Sequence, residues 1–276
     1  MELYVDTCVM PRCCLEEAVL YRQNCGDDLG FELLPMFDLP EFEENLCRNL
    51  AVFAEGPLIF HEPVWGVEHT AGRGSPAWEE STHHLQLTRK YAEILRPTHL
   101  IYHFNNCAVP AARKQEMLDI SLTSLENMRD LFSGQEILVE NTGTRRNNTM
   151  MLDQDEFTEL CRERDLKVLI DVGHAHANGW NLEKLLIDME TRIRGFHLHN
   201  NDGVHDLHNR IHDGTLVFDR LMPLICRTVP HAFWVIEYTR PVYNRSPVWE
   251  DMEQMKRYRT AFYAAQQKEQ RSGYAR

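Results

Sequence analysis

Two stretches of this chain carry the pattern from which its fold can be argued. Residues 167–176 read Lys-Val-Leu-Ile-Asp-Val-Gly-His-Ala-His, and residues 193–208 read Ile-Arg-Gly-Phe-His-Leu-His-Asn-Asn-Asp-Gly-Val-His-Asp-Leu-His. Each contains a short apolar run, at 168–170 and 193–198, which predicts a buried strand. Histidine and aspartate follow each run, and these residue types commonly bind divalent transition metals. We therefore expect successive strands whose ends build a metal site together.

The same alternation of a short apolar strand and a longer amphipathic segment runs along the whole chain. The predicted strands are residues 2–6, 31–35, 57–61, 98–104, 136–141, 168–171, 193–199 and 233–238. The predicted helices are residues 12–25, 40–54, 76–95, 110–132, 153–164, 181–190, 216–229 and 247–270. Ser75, Asp153 and Asn181 are the expected N-caps of three of them.

These strands are too apolar to face water, which indicates a parallel sheet that is buried on both sides. Eight strand–helix units in 276 residues fit a closed (β/α)8 TIM barrel better than an open doubly wound sheet. A glycine-rich dinucleotide fingerprint, which would favour the open sheet, is absent from the sequence. We expect residues 1–276 to form a single domain of the α/β class.

Composition and charge narrow the class of protein. The formal net charge of −13 disfavours a general affinity for nucleic-acid backbones. No apolar run approaches the roughly 18 residues of a membrane span. The first residues, Met-Glu-Leu-Tyr-Val-Asp, do not resemble a secretion signal. The eight cysteines are scattered, without a Cys-x-x-Cys pair, which is typical of reduced thiols. We expect a cytoplasmic protein with no membrane partner.

Histidine and carboxylate side chains stand at the ends of the six predicted strands from the third onward. They are His61, His103, Glu140, Asp171, His197 with His199, and Glu237. In such barrels the chemistry lies at the carboxyl ends of the strands, so these groups should converge. A carboxylate that follows a run of buried residues is unfavourable unless a cation pairs with it. The convergence therefore predicts a divalent metal ion at this rim.

Other features of the sequence carry less information. Glu32 lies inside the apolar run of the second strand, and its position suggests no role. Trp65, just past the third strand, is a candidate for stacking on a sugar face, and simple packing is an equal alternative. No Gly-x-Ser-x-Gly nucleophile motif occurs, and no lysine ends a predicted strand. A serine hydrolase and a Schiff-base aldolase are therefore disfavoured.

Four short motifs resemble those of the xylose isomerase-like barrel superfamily, which includes sugar isomerases and epimerases, inosose-handling enzymes and endonuclease IV. They are Leu-Val-Glu-Asn at 138–141, Asp-Val-Gly-His at 171–174, His-Leu-His-Asn-Asn-Asp-Gly at 197–203 with Asp206-Leu-His208, and Val-Ile-Glu at 235–237. The resemblance spans nearly the whole chain. It is specific for the superfamily and says little about the substrate.

The resemblance implies a set of site residues. Glu140, Asp171, His197 and Glu237 would be the core metal ligands, with Glu140 and Glu237 also the catalytic base and acid. His61, His103, His174, Asp206 and His208 would hold further ions, or would instead bind substrate hydroxyls or orient the ligands. His199 would support a ligand or face the substrate, together with Trp65 and His174. The implied cofactor is zinc, manganese or magnesium, with zinc or manganese favoured, and a homo-oligomer is expected.

The sequence departs from the superfamily pattern in a few places. Asn200 stands where an acid is common, and His212 stands where a glycine is frequent. Arg146 and Gly203 occupy positions at which sugar 3-epimerases carry a glutamate and an arginine. Arg146 and Gly203 disfavour sugar 3-epimerase activity.

Three functions follow as hypotheses. The first is a metal-dependent isomerase or epimerase of a sugar, sugar phosphate or cyclitol, which transfers a proton next to a metal-bound carbonyl. The alternative is a multi-zinc phosphodiester hydrolase like endonuclease IV, against which the acidic net charge counts. The third is a sugar-binding barrel without catalysis, which the paired glutamates disfavour.

Overall fold

The computed structural model describes residues 2–11, 14–26, 28–239 and 246–273, with the side chains of the last segment described over 247–267. Eight parallel strands close into a barrel in sequence order, and β1 pairs with both β2 and β8. The fold is therefore the predicted (β/α)8 TIM barrel. The strands are β1 Leu3–Asp6, β2 Gly30–Leu33, β3 Leu58–His61, β4 His99–Tyr102, β5 Glu136–Glu140, β6 Lys167–Asp171, β7 Ile193–Leu198 and β8 Phe233–Ile236.

The helices pack around the barrel. They are α1 Glu17–Cys25, α2 Phe42–Ala54, α3 Pro76–Leu95, α4 Lys114–Leu131, α5 Gln154–Glu163, α6 Val172–Ala177, α7 Leu182–Met189, α8 Phe218–Thr228 and α9 Ser246–Gly273. The three predicted N-caps are confirmed: each side chain accepts a hydrogen bond from a backbone N–H of the first turn. Within the described residues, no helix combines the length and apolar character needed to cross a bilayer.

Some predicted boundaries differ from the structure. The segment predicted to be helical from residue 110 begins as a short 3-10 turn, Ala111–Arg113, and α4 starts after it. The helix predicted from residue 12 begins at Glu17, and residues 12 and 13 lie outside the described ones. Helix α6 was not predicted at all. It starts directly after β6, where the Asp171 side chain accepts a hydrogen bond from His174 N at 2.6 Å and so caps the helix.

Two apolar regions stabilise the fold. A large core lies between the barrel and its helices, and a smaller cluster fills the barrel interior near the amino-terminal ends of the strands. On β2 and β7 the inward positions in this smaller cluster are glycines. A Cβ on Gly30 would lie 2.3 Å from the Tyr4 ring, and one on Gly195 would lie 2.2 Å from the Phe233 ring. We call the cluster the barrel floor; its side chains are Tyr4, Ile59, Ile101, Leu138, Leu169, Phe233 and Val235.

Candidate metal centre

A ring of ionisable side chains lies directly above the barrel floor. Because side chains alternate along a strand, the residue two positions after an inward-facing residue also points inward. On all eight strands, or one residue beyond, that next position holds an aspartate, a glutamate or a histidine. Each of these side chains is buried. We call this set the rim layer; its members are Asp6, Glu32, His61, His103, Glu140, Asp171, His197 and Glu237.

His197 lies at the centre of the rim layer. Its Nδ1 is 3.3 Å from Glu237 Oε2, 3.4 Å from Glu140 Oε2 and 3.8 Å from Asp171 Oδ2. Neither His197 Nδ1 nor Glu237 Oε2 has a hydrogen-bond partner among the described residues, although both are buried. Buried polar atoms normally have partners. Three carboxylates around one imidazole nitrogen therefore fit a divalent cation, which would neutralise their charge.

A second group shares Glu140 with this centre. His103 Nε2 lies 3.0 Å from Glu140 Oε2, and His61 Nε2 lies 3.6 Å from the same oxygen. Ligand atoms of the three residues all lie within 4.8 Å of one another. Two imidazoles and one carboxylate are a donor set that suits zinc. The structure thus brings together three predicted site residues, His61, His103 and Glu140.

A third group consists of His174, which follows β6, and of Asp206 and His208, which follow β7. Asp206 joins two imidazoles, with Oδ2 lying 3.1 Å from His174 Nε2 and Oδ1 lying 3.0 Å from His208 Nε2. His208 Nδ1 also approaches Glu237 Oε2 at 3.4 Å, which links this group to the centre. Potential ligand atoms of His174, Asp206 and His208 lie within 4.8 Å of one another.

The two glutamates of the centre are pushed to opposite protonation states. Burial raises the pKa of Glu237 to about 8, because it outweighs the lowering effect of the neighbouring His197 and His208. Asp171 and Glu140 add smaller contributions that also raise this pKa. Burial also acts to raise the pKa of Glu140, but His197 and His103 outweigh it and hold that pKa well below its ordinary value. Carboxyl groups whose pKa values are separated in this way are typical of acid–base pairs.

The predicted substrate contacts are placed differently from one another. His199 is fully buried, its Nε2 lies 2.8 Å from Asp171 Oδ2, and its ring stacks on His208 at 3.8 Å. These contacts favour support of a ligand over contact with substrate, the two roles that the resemblance leaves open. Trp65 lies in the turn after β3 with 57% of its surface exposed. Its stacking role stays a prediction.

Sequence reasoning missed two members of the rim layer. Glu32 binds His197 Nε2 with both carboxylate oxygens, at 3.0 and 2.9 Å, so it fixes the imidazole with Nδ1 toward the centre. Asp6 is fully buried beside Glu32, and its Oδ2 has no partner among the described residues. A signal in the sequence could have identified both. Glu32 lies two positions after Gly30, and Asp6 lies two positions after Tyr4, the same spacing that separates floor and rim-layer residues on the other six strands.

No protein-family model matches this chain, and no curated protein matches its sequence. Solved structures do match it. A D-tagatose 3-epimerase-like protein aligns with a TM-score of 0.75 and 17% identity, over 96% of this chain and 99% of that one. The IolI protein, solved with a zinc atom, aligns with a TM-score of 0.73 and 16% identity, over 95% of this chain and 98% of that one. An AP endonuclease of family 2 from Brucella melitensis aligns with a TM-score of 0.68 and 15% identity, over 90% of this chain and 96% of that one.

At these identities the likeness concerns the fold, and it extends over nearly the full length of both chains in each comparison. The predicted (β/α)8 barrel is therefore confirmed, and its fold is similar to the folds of these solved structures.

Proposed function

We propose that this protein is a divalent-metal-dependent enzyme whose central ligands are Glu140, Asp171, His197 and Glu237. The observation that carries the proposal is the buried, unpartnered Nδ1 of His197, which faces three carboxylates at 3.3–3.8 Å. Zinc or manganese suits this nitrogen–oxygen donor set better than magnesium. The zinc atom in the IolI structure supports the choice.

The reaction that we propose is isomerisation or epimerisation of a small carbohydrate or cyclitol. A bound divalent ion would polarise a substrate carbonyl and acidify the neighbouring C–H bond. Glu140, held ionised by His197 and His103, would accept the proton from carbon, and Glu237 would return a proton at the new position. Proton removal and return leave atoms and electrons balanced without a redox cofactor. The sugar-epimerase name of a similar structure supports this substrate class.

The direct test is exchange of carbon-bound hydrogen with solvent. Metal-loaded protein would be incubated in deuterated water with a panel of ketoses, aldoses and inososes, and deuterium incorporation would be followed by NMR. We expect exchange at a carbon next to the carbonyl of at least one compound, and none with metal-stripped protein. Exchange would also remove the hypothesis of a binding protein without catalysis. Absence of exchange across the panel would count against the isomerase.

A second candidate is hydrolysis of a phosphodiester by several metal ions. It is favoured by one observation: the groups His61–His103–Glu140 and His174–Asp206–His208 flank the centre and share ligands or contacts with it. The net charge of −13 opposes a nucleic-acid substrate. A nicking assay on a duplex with an abasic site, supplied with zinc or manganese, separates the candidates. Robust cleavage would make the hydrolase the preferred function.

Metal analysis of the protein and two variants tests the number of ions. We expect at least one tightly held divalent ion in the wild type, at the central four ligands. His61→Ala and His208→Ala each remove one outer group and leave the centre intact. A count that falls in either variant assigns an ion to that group. A wild type that holds no ion after zinc or manganese is supplied would contradict the metal proposal itself.

A further inference from the structure

Glu62 is a buried carboxylate that belongs to none of the three metal groups. It follows His61 directly, and because side chains alternate it points away from the barrel interior. It is fully buried, so its charge requires partners. Its Oε2 accepts hydrogen bonds from His69 Nε2 at 2.8 Å and from the His103 backbone N–H at 3.2 Å. Its Oε1 accepts one from Asn106 Nδ2 at 2.8 Å.

The orientation of the Asn106 amide is fixed by its two acceptors. Its Nδ2 donates to Glu62 Oε1 and also to Val67 O, at 2.9 Å. A flipped amide would place its oxygen against a carboxylate and a carbonyl, which are both acceptors. The oxygen of Asn106 must therefore face the other way, toward His103.

The tautomer of His103 follows from this orientation. His103 Nδ1 lies 2.8 Å from Asn106 Oδ1, and since that oxygen only accepts, Nδ1 must carry the proton. In the neutral ring the lone pair is then on Nε2, which lies 3.0 Å from Glu140 Oε2. These two atoms are both acceptors, and a cation bound by both would satisfy them. The same tautomer follows for His61, because its Nδ1 lies 2.9 Å from the backbone oxygen of Glu62, which only accepts. Both imidazoles therefore direct Nε2 toward the shared glutamate.

The network extends outward from Glu62. His69 Nε2 donates to Glu62, so its Nδ1 is the acceptor of the neutral ring, and Ser124 Oγ on α4 lies 2.7 Å away as donor. Every hydrogen bond from Ser124 to His103 thus has a defined direction.

We propose that Glu62 is the positioning residue of the metal group His61–His103–Glu140, acting on His103 through Asn106. The proposal rests on the proposed metal-dependent function and deepens it. Glu62 does not contact the ion itself. It determines which nitrogen of His103 is available to bind one, and substitution of such supporting residues typically weakens metal affinity by about 10–100-fold.

Glu62→Gln is the informative variant, because it keeps the size of the side chain and introduces an N–H group. If that group faces Asn106, the amide must flip, which turns its N–H toward His103 and moves the imidazole proton to Nε2. If it faces His69, the His103 backbone N–H loses its acceptor. We expect zinc affinity at this group to fall by about 10–100-fold, while the central ion is retained.

The experiment measures zinc stoichiometry and affinity by competition with a chromophoric chelator, with imidazole ¹⁵N chemical shifts as a second readout of the tautomer. His103→Ala marks complete loss of this ion. Glu62→Gln combined with His103→Ala should lose no more than His103→Ala alone, since both changes act on one group. Glu68→Gln is the matched control. Glu68 accepts a hydrogen bond from the Asn106 backbone N–H at 3.0 Å, whereas the Asn106 side-chain amide donates to Glu62 and Val67 O. It should leave the affinity within about threefold of the wild type.

If Glu62→Gln does not fold, Asn106→Leu replaces it, because this change also removes the acceptor for His103 Nδ1. Affinities equal to those of Glu68→Gln, or an unchanged His103 tautomer, would overturn the positioning role and leave the central ion standing. An ion count that does not change in His103→Ala would also overturn it. A wild type without any bound ion would remove this proposal and the proposed function together.

Discussion

The floor and the rim layer of this barrel are built on the same strands and differ by two residues in position. On β5 and β6, for instance, Leu138 and Leu169 lie in the floor, whereas Glu140 and Asp171 lie in the rim layer. The floor is held by apolar burial, which needs no partner of defined geometry. The rim layer has equally little contact with water, but it is held by ion pairs and hydrogen bonds and leaves several atoms unpartnered. We therefore expect stability to depend mainly on the floor and the proposed chemistry to depend on the rim layer.

The largest effect should follow from Glu140→Gln in the rim layer. Loss of the base should lower turnover by at least about 10³-fold, with the fold retained. Glu136→Gln, at the opposite end of the same strand, is the control, because Glu136 contacts Arg194 and His99 away from the centre. The assay is turnover of the compound found in the exchange panel. Full activity in Glu140→Gln would show that chemistry does not depend on this residue.

A floor variant should have the converse effect. Leu169→Ala removes a fully buried side chain and leaves a cavity, so the free energy of unfolding should fall by about 2–5 kcal/mol. Metal content should not change. Asp171→Asn, two residues further on, is the paired variant and should lose metal with little change in the stability of the metal-free protein. Urea unfolding and metal analysis of both variants test the division; loss of metal in folded Leu169→Ala would break it.

Removal of the metal from the rim layer should lower the free energy of unfolding of the whole protein. At free metal of about 100 times Kd, binding contributes about 2.7 kcal/mol to the free energy of unfolding. Because burial raises the pKa of Glu237 to about 8, loading at pH 7 should also release a proton. Thermal unfolding with and without chelator and a pH-stat titration measure the two effects. An unfolding temperature that ignores added zinc or manganese would contradict the prediction.

Glu32→Gln should weaken the central ion without removing a ligand. Only one nitrogen–oxygen hydrogen bond would then orient His197, so affinity should fall by about 10–100-fold. Asp6→Asn is the control within the same layer. The described hydrogen bond of the Asp6 side chain is to Cys8 N, whereas Glu32 is the residue that binds the imidazole of His197. Chelator competition provides the affinities. Equal affinities in Glu32→Gln and the wild type would show that barrel packing alone fixes His197.

The last effect concerns the dependence of stability on pH. Burial and the neighbouring Glu32 raise the pKa of Asp6 to about 6, above that of the unfolded chain. The folded protein then holds a proton that the unfolded chain releases, so the contribution of Asp6 to stability falls as pH rises from about 4 to about 6. The shift of about two pKa units corresponds to about 3 kcal/mol, so metal-free Asp6→Asn should exceed the wild type by up to about 3 kcal/mol at pH 7 and match it near pH 4. A difference that is constant across this range would contradict the assignment.

The regular part of the fold could be predicted because each barrel unit carries a local signal. Apolar runs mark the strands, and Ser75, Asp153 and Asn181 mark helix starts through their own side chains. Helix α6 could not be predicted, because its six residues, which include Gly173, are too short a segment to show a periodic pattern. In the sequence, its cap Asp171 is recognisable only as a candidate metal ligand.

The sequence by itself determined the eight strand–helix units of the barrel and the residue types that end the strands, and these residue types predict a metal site. It could not determine how the side chains are oriented. Glu32 and His197 meet although 165 residues separate them, and they meet only because β2 and β7 belong to one closed barrel. The pairing of β3 with β4 likewise brings Glu62 and Asn106 together beside His103. Which nitrogen of each histidine is available for binding depends on such contacts, and only the tertiary structure decides them.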